Sequence, residues 1–585
     1  MKLAAIALDY DGTIAVRDRM DPSVRQAISE ARAAGIAVLL VTGRRLKDLR
    51  RVAGDLACFD VVVAENGAVI DFPLSGRHVV LGHPPPPAFV DEIRRRGVAC
   101  DVGESLVEAD AGECGKIIDA IHALELPLVL TFNRGRVMVL PQAVGKSTGL
   151  RRALVTLRIS IHNTVGIGDA ENDHDLLDAC EVGVAVEWGS PALLSVADDV
   201  IRGKGPPAVA EYIRNLAKTG ELTPALMGRR RLLLGRQHDG TPIRIAIRGR
   251  AVLIAGEPGT GKSWLAGLMA EQLILQGYCV CIIDPEGDYT ALEALPSVIV
   301  LGGDDPPPAA RELARALRHP DVSIVIDLSR MRHREKVQYM DRVMDLLLRL
   351  RRQTGLPHRI ITDEAHYLIS RKSPLALNPA ELHGQTLITY RVSTLAESVQ
   401  LRNEAVVLVT RETDPREIES LRSICCDGCG SVAPAVFQDL QLNEAAMLPG
   451  CAEAGGCVRR FEIEPRLTSH VRHRTKYLDM PVDDGQAFVF TANGQPAARA
   501  RTLKEFVGLL AAMPPRVLEG HLRRHDLSRW IADVFRDGPL AARVRTLEST
   551  VATELPADIA AEIDQAIRAR YERMRSDLVP TSLPA

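Results

Sequence analysis

Short apolar runs alternate with amphipathic stretches over the first 217 residues. The run LAAIAL at 3–8 reads as a buried strand and IAVLLVTGR at 36–44 contains the next, with a helix between them opened by Asp21 and Pro22 and closed near Gly35. Strands and helices in this rhythm predict a doubly wound α/β sheet. A stretch rich in Gly, Pro and Arg, 218–240, reads as a linker, and a second alternating α/β series follows over 241–465. Beyond 466 the pattern changes to aromatic-bearing segments (KYLDM, QAFVFTANG, SRWIADVF) and a helix announced by Thr502 and Glu505. A small α+β domain is expected over 466–585, ending in a helix that carries Ile559, Ile563 and Ile567 on one stripe.

Composition narrows the class. With 585 residues, 46% of them hydrophobic, the chain is long enough for roughly three to five domains, each with its own core. A formal net charge of -3 gives no overall basic field, so nucleic acid is not indicated by charge and any such binding needs a local patch. No apolar run reaches the ~18 residues of a membrane span, and the opening MKLAAIALDYDGT lacks a secretory apolar region. Eleven scattered cysteines read as reduced thiols, so the expectation is a cytoplasmic protein without a membrane partner.

Candidate chemistry begins at the end of the first run. DYDGT places Asp9 and Asp11 just past a strand, where ligands of α/β folds bind. Asp9 is placed as a nucleophile, and Asp11 as the acid that protonates a leaving oxygen and then activates water. Thr42 in VTGR can hydrogen-bond a phosphoryl group, Lys146 in VGKS can neutralise the crowded oxygens, and Asp169 with Asp173 in GDAEND offers acidic ligands for magnesium. These four motifs, with AENGAVI at 64–70, resemble the haloacid dehalogenase (HAD) superfamily, in the branch of Cof-type, sucrose-phosphate and phosphoglycolate phosphatases. The resemblance covers 1–217. It implies a Rossmann-like core, phosphate transfer through Asp9 with Asp11 as acid/base, and a Mg2+ ion held among Asp9, Asp11, Asp169 and Asp173. The long gap between Thr42 and Lys146 leaves room for a compact cap at about 73–140, which would choose a small phosphorylated substrate.

A second phosphate signature lies far downstream. In AVLIAGEPGTGKSWLAGLMAEQLILQG a strand leads into the loop Gly256, Glu257, Pro258, Gly259, Thr260, Gly261, Lys262, Ser263 and then into a helix, the context a P-loop requires. Backbone amides would hold the phosphates of ATP, Lys262 would reach the outer ones and Ser263 would bind Mg2+. In RIITDEAH, Asp363 would take the metal through water and Glu364 would orient the attacking water. The loop, with CVCIIDPEGDY at 279–289, VIDLSRM at 325–331 and the DEAH strand, resembles HerA-like ATPases, relatives of the FtsK translocases. That resemblance implies ATP hydrolysis and a homo-oligomeric ring. Where those ATPases usually carry a sensor glutamine, this chain has Tyr390 and Arg391; Arg391 and Arg411 are read either as arginine fingers or as ordinary ion pairs.

Cys425, Cys426, Cys429, Cys451 and Cys457 have incomplete zinc spacing and name no metal site. The basic string at 466–477 reads equally as a phosphate grip or a solvated face. The fold class expected is therefore α/β: a Rossmann-like HAD core with a small cap, a P-loop α/β domain and a small C-terminal α+β domain. The functional expectation is a bifunctional phosphomonoesterase and ATPase. Two alternatives stay open: a nucleic-acid-dependent motor whose HAD part processes end phosphates, and a phosphatase governed by a nucleotide switch.

Overall fold

The computed structural model describes the chain apart from residues 134, 223–228, 248–249, 369–378, 397–404, 425–432, 449–457, 470–481, 483, 493, 536, 553–554 and 573–585. The cysteine cluster at 425–457 and the basic residues from His470 to Lys476 lie outside the described residues.

An eight-stranded sheet occupies the first third. Its order is Asp199–Ile201, Val182–Val186, Thr164–Gly168, Ala5–Leu8, Ala37–Val41, Val61–Ala64, Val69–Phe72, Arg77–Val80. The first six are parallel and the last two return antiparallel at the edge. Period-two alternation sends Ile6 and Leu8 to one face and Ala5 and Ala7 to the other, and both faces are buried. Helices Pro22–Ala33 and Pro206–Thr219 cover the first face; Lys146–Leu157 and His174–Ala179 cover the second. The first helix starts where the sequence indicates, with the Asp21 side chain accepting from the Ser23 amide at 2.8 Å. Beside this core stands an antiparallel sheet, Leu128–Asn133, Arg136–Pro141, Val107–Asp110, Cys100–Val102, backed by helices Pro87–Arg95 and Cys114–Ala123.

The second sheet has eleven strands. Seven run parallel in the order Ala405–Val409, Ala251–Ala255, Gln385–Thr389, Arg359–Thr362, Val280–Asp284, Ser323–Asp327, Val298–Gly302. Four antiparallel strands, Glu444–Met447, Arg459–Ile463, Arg231–Arg236 and Pro242–Ala246, extend it beyond Ala405–Val409. Helices Lys262–Leu275 and His333–Thr354 lie in the two cores that sandwich it. The last part is a hairpin, Phe488–Ala492 with Gln495–Ala500, packed on helices Leu503–Ala512, Pro515–Arg523, Asp526–Trp530, Gly538–Glu548 and Pro556–Glu572. Phe488, Phe490, Phe506 and Trp530 stack edge and face at its centre, which accounts for the local gathering of aromatics. Among the described residues no helix is long and apolar enough to cross a membrane.

Candidate functional sites

Parallel strands place their following residues along one edge, and the first sheet assembles its candidate site that way. Asp9 follows Ala5–Leu8, Thr42 follows Ala37–Val41, and Asp169 follows Thr164–Gly168. Lys146 opens the helix Lys146–Leu157 and points inward, only 1% exposed. Its Nζ lies 2.6 Å from Asp9 Oδ1 and 2.6 Å from Asp173 Oδ1. Asp173 Oδ2 accepts the amides of Asp169 and Ala170 at 3.0 Å each, and the Thr13 hydroxyl donates to Asp169 Oδ1 at 3.2 Å. Carboxylate oxygens of Asp9, Asp169 and Asp173 all lie within 4.8 Å of one another, and all three residues are buried.

Such crowding has an electrostatic cost. Burial, then the neighbouring Asp173 charge, push Asp9 well above the usual carboxylate range against the pull of Lys146. For Lys146, burial works against the charge, but the Asp173 and Asp9 carboxylates outweigh it and hold the ammonium above its ordinary value. Three carboxylates face a single ammonium here, and an all-oxygen donor set with excess negative charge suits a hard cation such as magnesium.

Asp11 stands apart from that group. Its carboxylate is held by Arg44, Nε to Oδ2 and Nη2 to Oδ1, both at 2.6 Å, and Arg44 also pairs with Asp18. Arg44 was legible as part of VTGR, yet sequence reasoning assigned it nothing. It also missed Asn172, a buried member of GDAEND whose Nδ2 donates to Asn66 Oδ1 at 3.3 Å, and Trp188, whose indole donates to the Gly12 carbonyl at 2.7 Å. Glu65, next to Asn66, takes a positive φ of 52° and accepts the amides of Glu104 at 3.0 Å and Ser105 at 2.8 Å. That carboxylate tethers the 103–105 loop to the core, and a Cβ on Gly103 would lie 2.6 Å from its oxygens. Burial raises Glu65, and the amide bonds oppose the shift. Across the same seam Asp101 pairs with Arg45 at 3.4 Å, and within its own small sheet with Arg136 at 3.4 Å.

The second site forms at the matching edge of the larger sheet. Strand Ala251–Ala255 runs into Gly256–Gly261, and Lys262 and Ser263 open the helix Lys262–Leu275. Lys262 Nζ donates to the Glu257 carbonyl at 2.9 Å, and the Ser263 hydroxyl donates to Asp363 Oδ2 at 3.2 Å. Tyr289 donates to the same Asp363 oxygen at 3.3 Å. Asp363 follows Arg359–Thr362, and Glu364, 1% exposed, takes a positive φ of 48°. His366 Nδ1 lies 3.5 Å from Glu364 Oε2 and 3.2 Å from the Thr389 hydroxyl, with its ring against Tyr390. Asp284 accepts the amides of Gly287 and Tyr289 at 2.7 and 2.9 Å, and burial, then Asp288, raise it well above the carboxylate range.

A clamp from the strand Ala405–Val409 grips the loop. Thr410 and Thr260 share a hydroxyl hydrogen bond at 2.7 Å, Arg411 Nε lies 2.7 Å from Glu257 Oε1, and the Thr413 hydroxyl donates to Glu257 Oε2 at 2.8 Å. Gly256 has no room for a side chain, since a Cβ would sit 2.2 Å from the Thr410 hydroxyl. Arg411 is thus an ion pair inside its own site, and Arg391 lies over the Tyr390 ring at 5.3 Å. Glu412, 2% exposed between these residues, is pushed by burial to about 7.

Family models match both regions. Residues 6–94 and 99–213 match the haloacid dehalogenase-like hydrolases, and 233–413 match the family described as helicase HerA, central domain. The chain is a fusion of a haloacid dehalogenase-like hydrolase with a HerA central domain. The HAD–HerA fusion is similar to the phosphoglycolate phosphatase of Archaeoglobus fulgidus, 27% identical over 230 residues that cover 37% of this chain and 97% of that one. The phosphoglycolate phosphatase of Methanothermobacter thermautotrophicus is 27% identical over 233 residues, covering 36% of the fusion and 98% of its own length. Among solved structures, a haloacid dehalogenase-like hydrolase from B. subtilis aligns with 37% of the fusion and 100% of its own chain, at 20% identity and a TM-score of 0.31.

Proposed function

We propose that the HAD unit is a magnesium-dependent phosphomonoesterase that acts through an aspartyl-phosphate on a small phosphorylated metabolite. The reading rests on Asp9, a buried strand-end carboxylate 2.6 Å from the Lys146 ammonium. In this reading an Asp9 oxygen attacks phosphorus, the ester P–O bond breaks, and the leaving alkoxide takes a proton from Asp11. Asp11 then takes a proton from water, whose oxygen attacks phosphorus and releases phosphate and Asp9. Lys146 offsets charge on the phosphoryl oxygens, and the Thr42 hydroxyl donates to one of them. Asp11 reaches the leaving oxygen only by parting from Arg44, which frees that guanidinium for a substrate anion. Magnesium would sit among Asp9, Asp169 and Asp173 and, when bound, supplies positive charge that orients the phosphoryl group. The relatives named for phosphoglycolate make a phosphorylated hydroxy acid the first substrate to assay, with sugar phosphates next. The test is phosphate release with and without magnesium by the intact chain and by Asp9→Asn; release that survives the substitution overturns the reading.

For the HerA unit, the reading is ATP binding and hydrolysis: the 256–263 loop cradles phosphates, Ser263 with Asp363 holds a metal ion, and Glu364 orients water. Lys262→Ala should abolish ATP turnover. The family's description as a helicase domain favours one second reading, a nucleic-acid-dependent ATPase, with assembly into a homo-oligomeric ring in the cytoplasm. Stimulation by double-stranded DNA that fades as salt rises would support it; sedimentation checks the ring.

A further inference from the structure

Glu181 is 3% exposed, in the turn before strand Val182–Val186. Its carboxylate accepts the Tyr278 hydroxyl of the HerA unit at 2.7 Å and lies 2.7 Å from His162 Nδ1 and 3.6 Å from Arg230 Nε. The His162 ring lies flat on Tyr278, centroids 3.7 Å apart and planes 15° apart, and its Nε2 is 2.9 Å from the Gln276 carbonyl. His358 stands edge-on to both rings; its Nδ1 accepts the Cys279 amide at 2.8 Å, and its Nε2 faces Asn163 Oδ1 at 3.1 Å. Asn163 Nδ2 donates to the Lys2 carbonyl at 2.9 Å, and the Lys2 ammonium donates to the Gln353 carbonyl. Packing is close enough that a Cβ on Gly355 would meet Asn163 Nδ2 at 2.6 Å.

These residues share one property of position. Asn163 directly precedes Thr164–Gly168 and Glu181 precedes Val182–Val186; Cys279 precedes Val280–Asp284 and His358 precedes Arg359–Thr362. The two units therefore meet at the amino ends of their strands, while both candidate sites lie at the carboxyl ends. A strand of five residues spans about 17 Å, so the two reactive edges are held roughly 35 Å apart or more, on opposite sides of the junction.

We propose that the HAD and HerA units form a single cooperative folding body, locked back to back by the Glu181–Tyr278–His162–His358 cluster. A tether would leave each surface able to face water alone. Here the two histidines, Asn163, Glu181 and Tyr278 are all buried, and the carboxylate draws partners from both sides. Separating the units would strip the buried Glu181 carboxyl group of one partner and expose stacked rings, which is strongly unfavourable. Ligand binding at either site then stabilises both units by mass action, although neither site can hand its product directly to the other.

The test needs no ligand. Amide hydrogen exchange of the full chain, read by mass spectrometry across a urea series, follows peptides from Thr164–Gly168 and Val182–Val186 beside those from Val280–Asp284 and Arg359–Thr362. Loss of protection should occur at midpoints that agree within about 0.2 M for both sets. Tyr278→Phe combined with His358→Leu should pull the midpoints apart. Separate midpoints in the unaltered chain would overturn the single-body proposal, and coincident midpoints in the doubly substituted chain would overturn the role of this cluster. Should the double variant not fold, the unaltered chain still decides the first point.

Discussion

Arg44 holds Asp11 in a two-pronged ion pair, both contacts at 2.6 Å, while Asp9 is bound by Lys146 at the same distance. The two carboxylates of DYDGT are thus given different partners before any substrate arrives. Arg44→Ala should release Asp11 and remove a cation that substrate could use. Phosphatase KM is expected to rise about tenfold, the cost of one charge-assisted contact, with a smaller change in kcat. Steady-state kinetics with and without the substitution checks this, and an unchanged KM would count against a substrate role for Arg44.

The two candidate sites should fail independently. Asp9→Asn is expected to lower phosphatase turnover by at least about a thousandfold and leave ATP hydrolysis intact, and Lys262→Ala to do the reverse. Paired assays on each variant, with circular dichroism to confirm folding, distinguish this from a single shared site.

Glu412 carries a pH signature. Its folded value of about 7 is raised from an ordinary 4.5, so the folded state holds this proton more tightly than the unfolded chain does. The sign follows: stability from this group is complete below about 4.5 and falls as pH rises to about 7. Glu412→Gln should raise thermal stability at pH 8, by of order 1–3 kcal/mol, and change little at pH 4.5. Melting curves at the two pH values check it, and equal effects at both would refute the assignment.

His366 touches Glu364 on one side and Thr389 on the other, and so fixes the carboxylate read as the water-orienting group. His366→Ala should lower ATPase kcat about tenfold and shift KM for ATP less than about twofold, because it acts on the water and not on the phosphates. A rise in KM with kcat unchanged would show that it serves binding.

Glu65 ties the 103–105 loop to the core. Gly103→Ala would drive a Cβ to 2.6 Å from that carboxylate, so the loop bearing Glu104 and Ser105 has to lift. Phosphatase kcat/KM should drop about tenfold or more with ATPase activity unaltered, and activity assays on both substrates report it.

Local grammar carried much of this into the sequence. Asp9, Thr42, Asp169 and the 256–263 loop each follow an apolar run, and a strand-end position is readable from a few residues of context. Asp11 shows where that reading stops: spacing places it two residues from Asp9, but its partner Arg44 arrives just past the end of the neighbouring strand Ala37–Val41. The Thr410–Thr413 clamp was invisible for the same reason, since it meets Glu257 only because Ala405–Val409 pairs with Ala251–Ala255. The Glu181 cluster required strand starts from two sheets to be brought together, and no periodicity in a linear chain encodes that.

The larger sheet also sets an order of events at the ribosome. Gly235 pairs with Ile463, so an early strand waits for about 230 further residues before its partner exists. At translation rates of 5–20 residues per second the wait is roughly 10–50 s. During that interval Arg231–Arg236, with Leu232 and Leu234 destined for the core, has Pro242–Ala246 on one side and an open edge on the other. An open edge of this kind invites pairing with other nascent chains. Yield of the native protein should therefore be sensitive to elongation speed and holding chaperones, and the vulnerable surface is one that the finished molecule no longer displays.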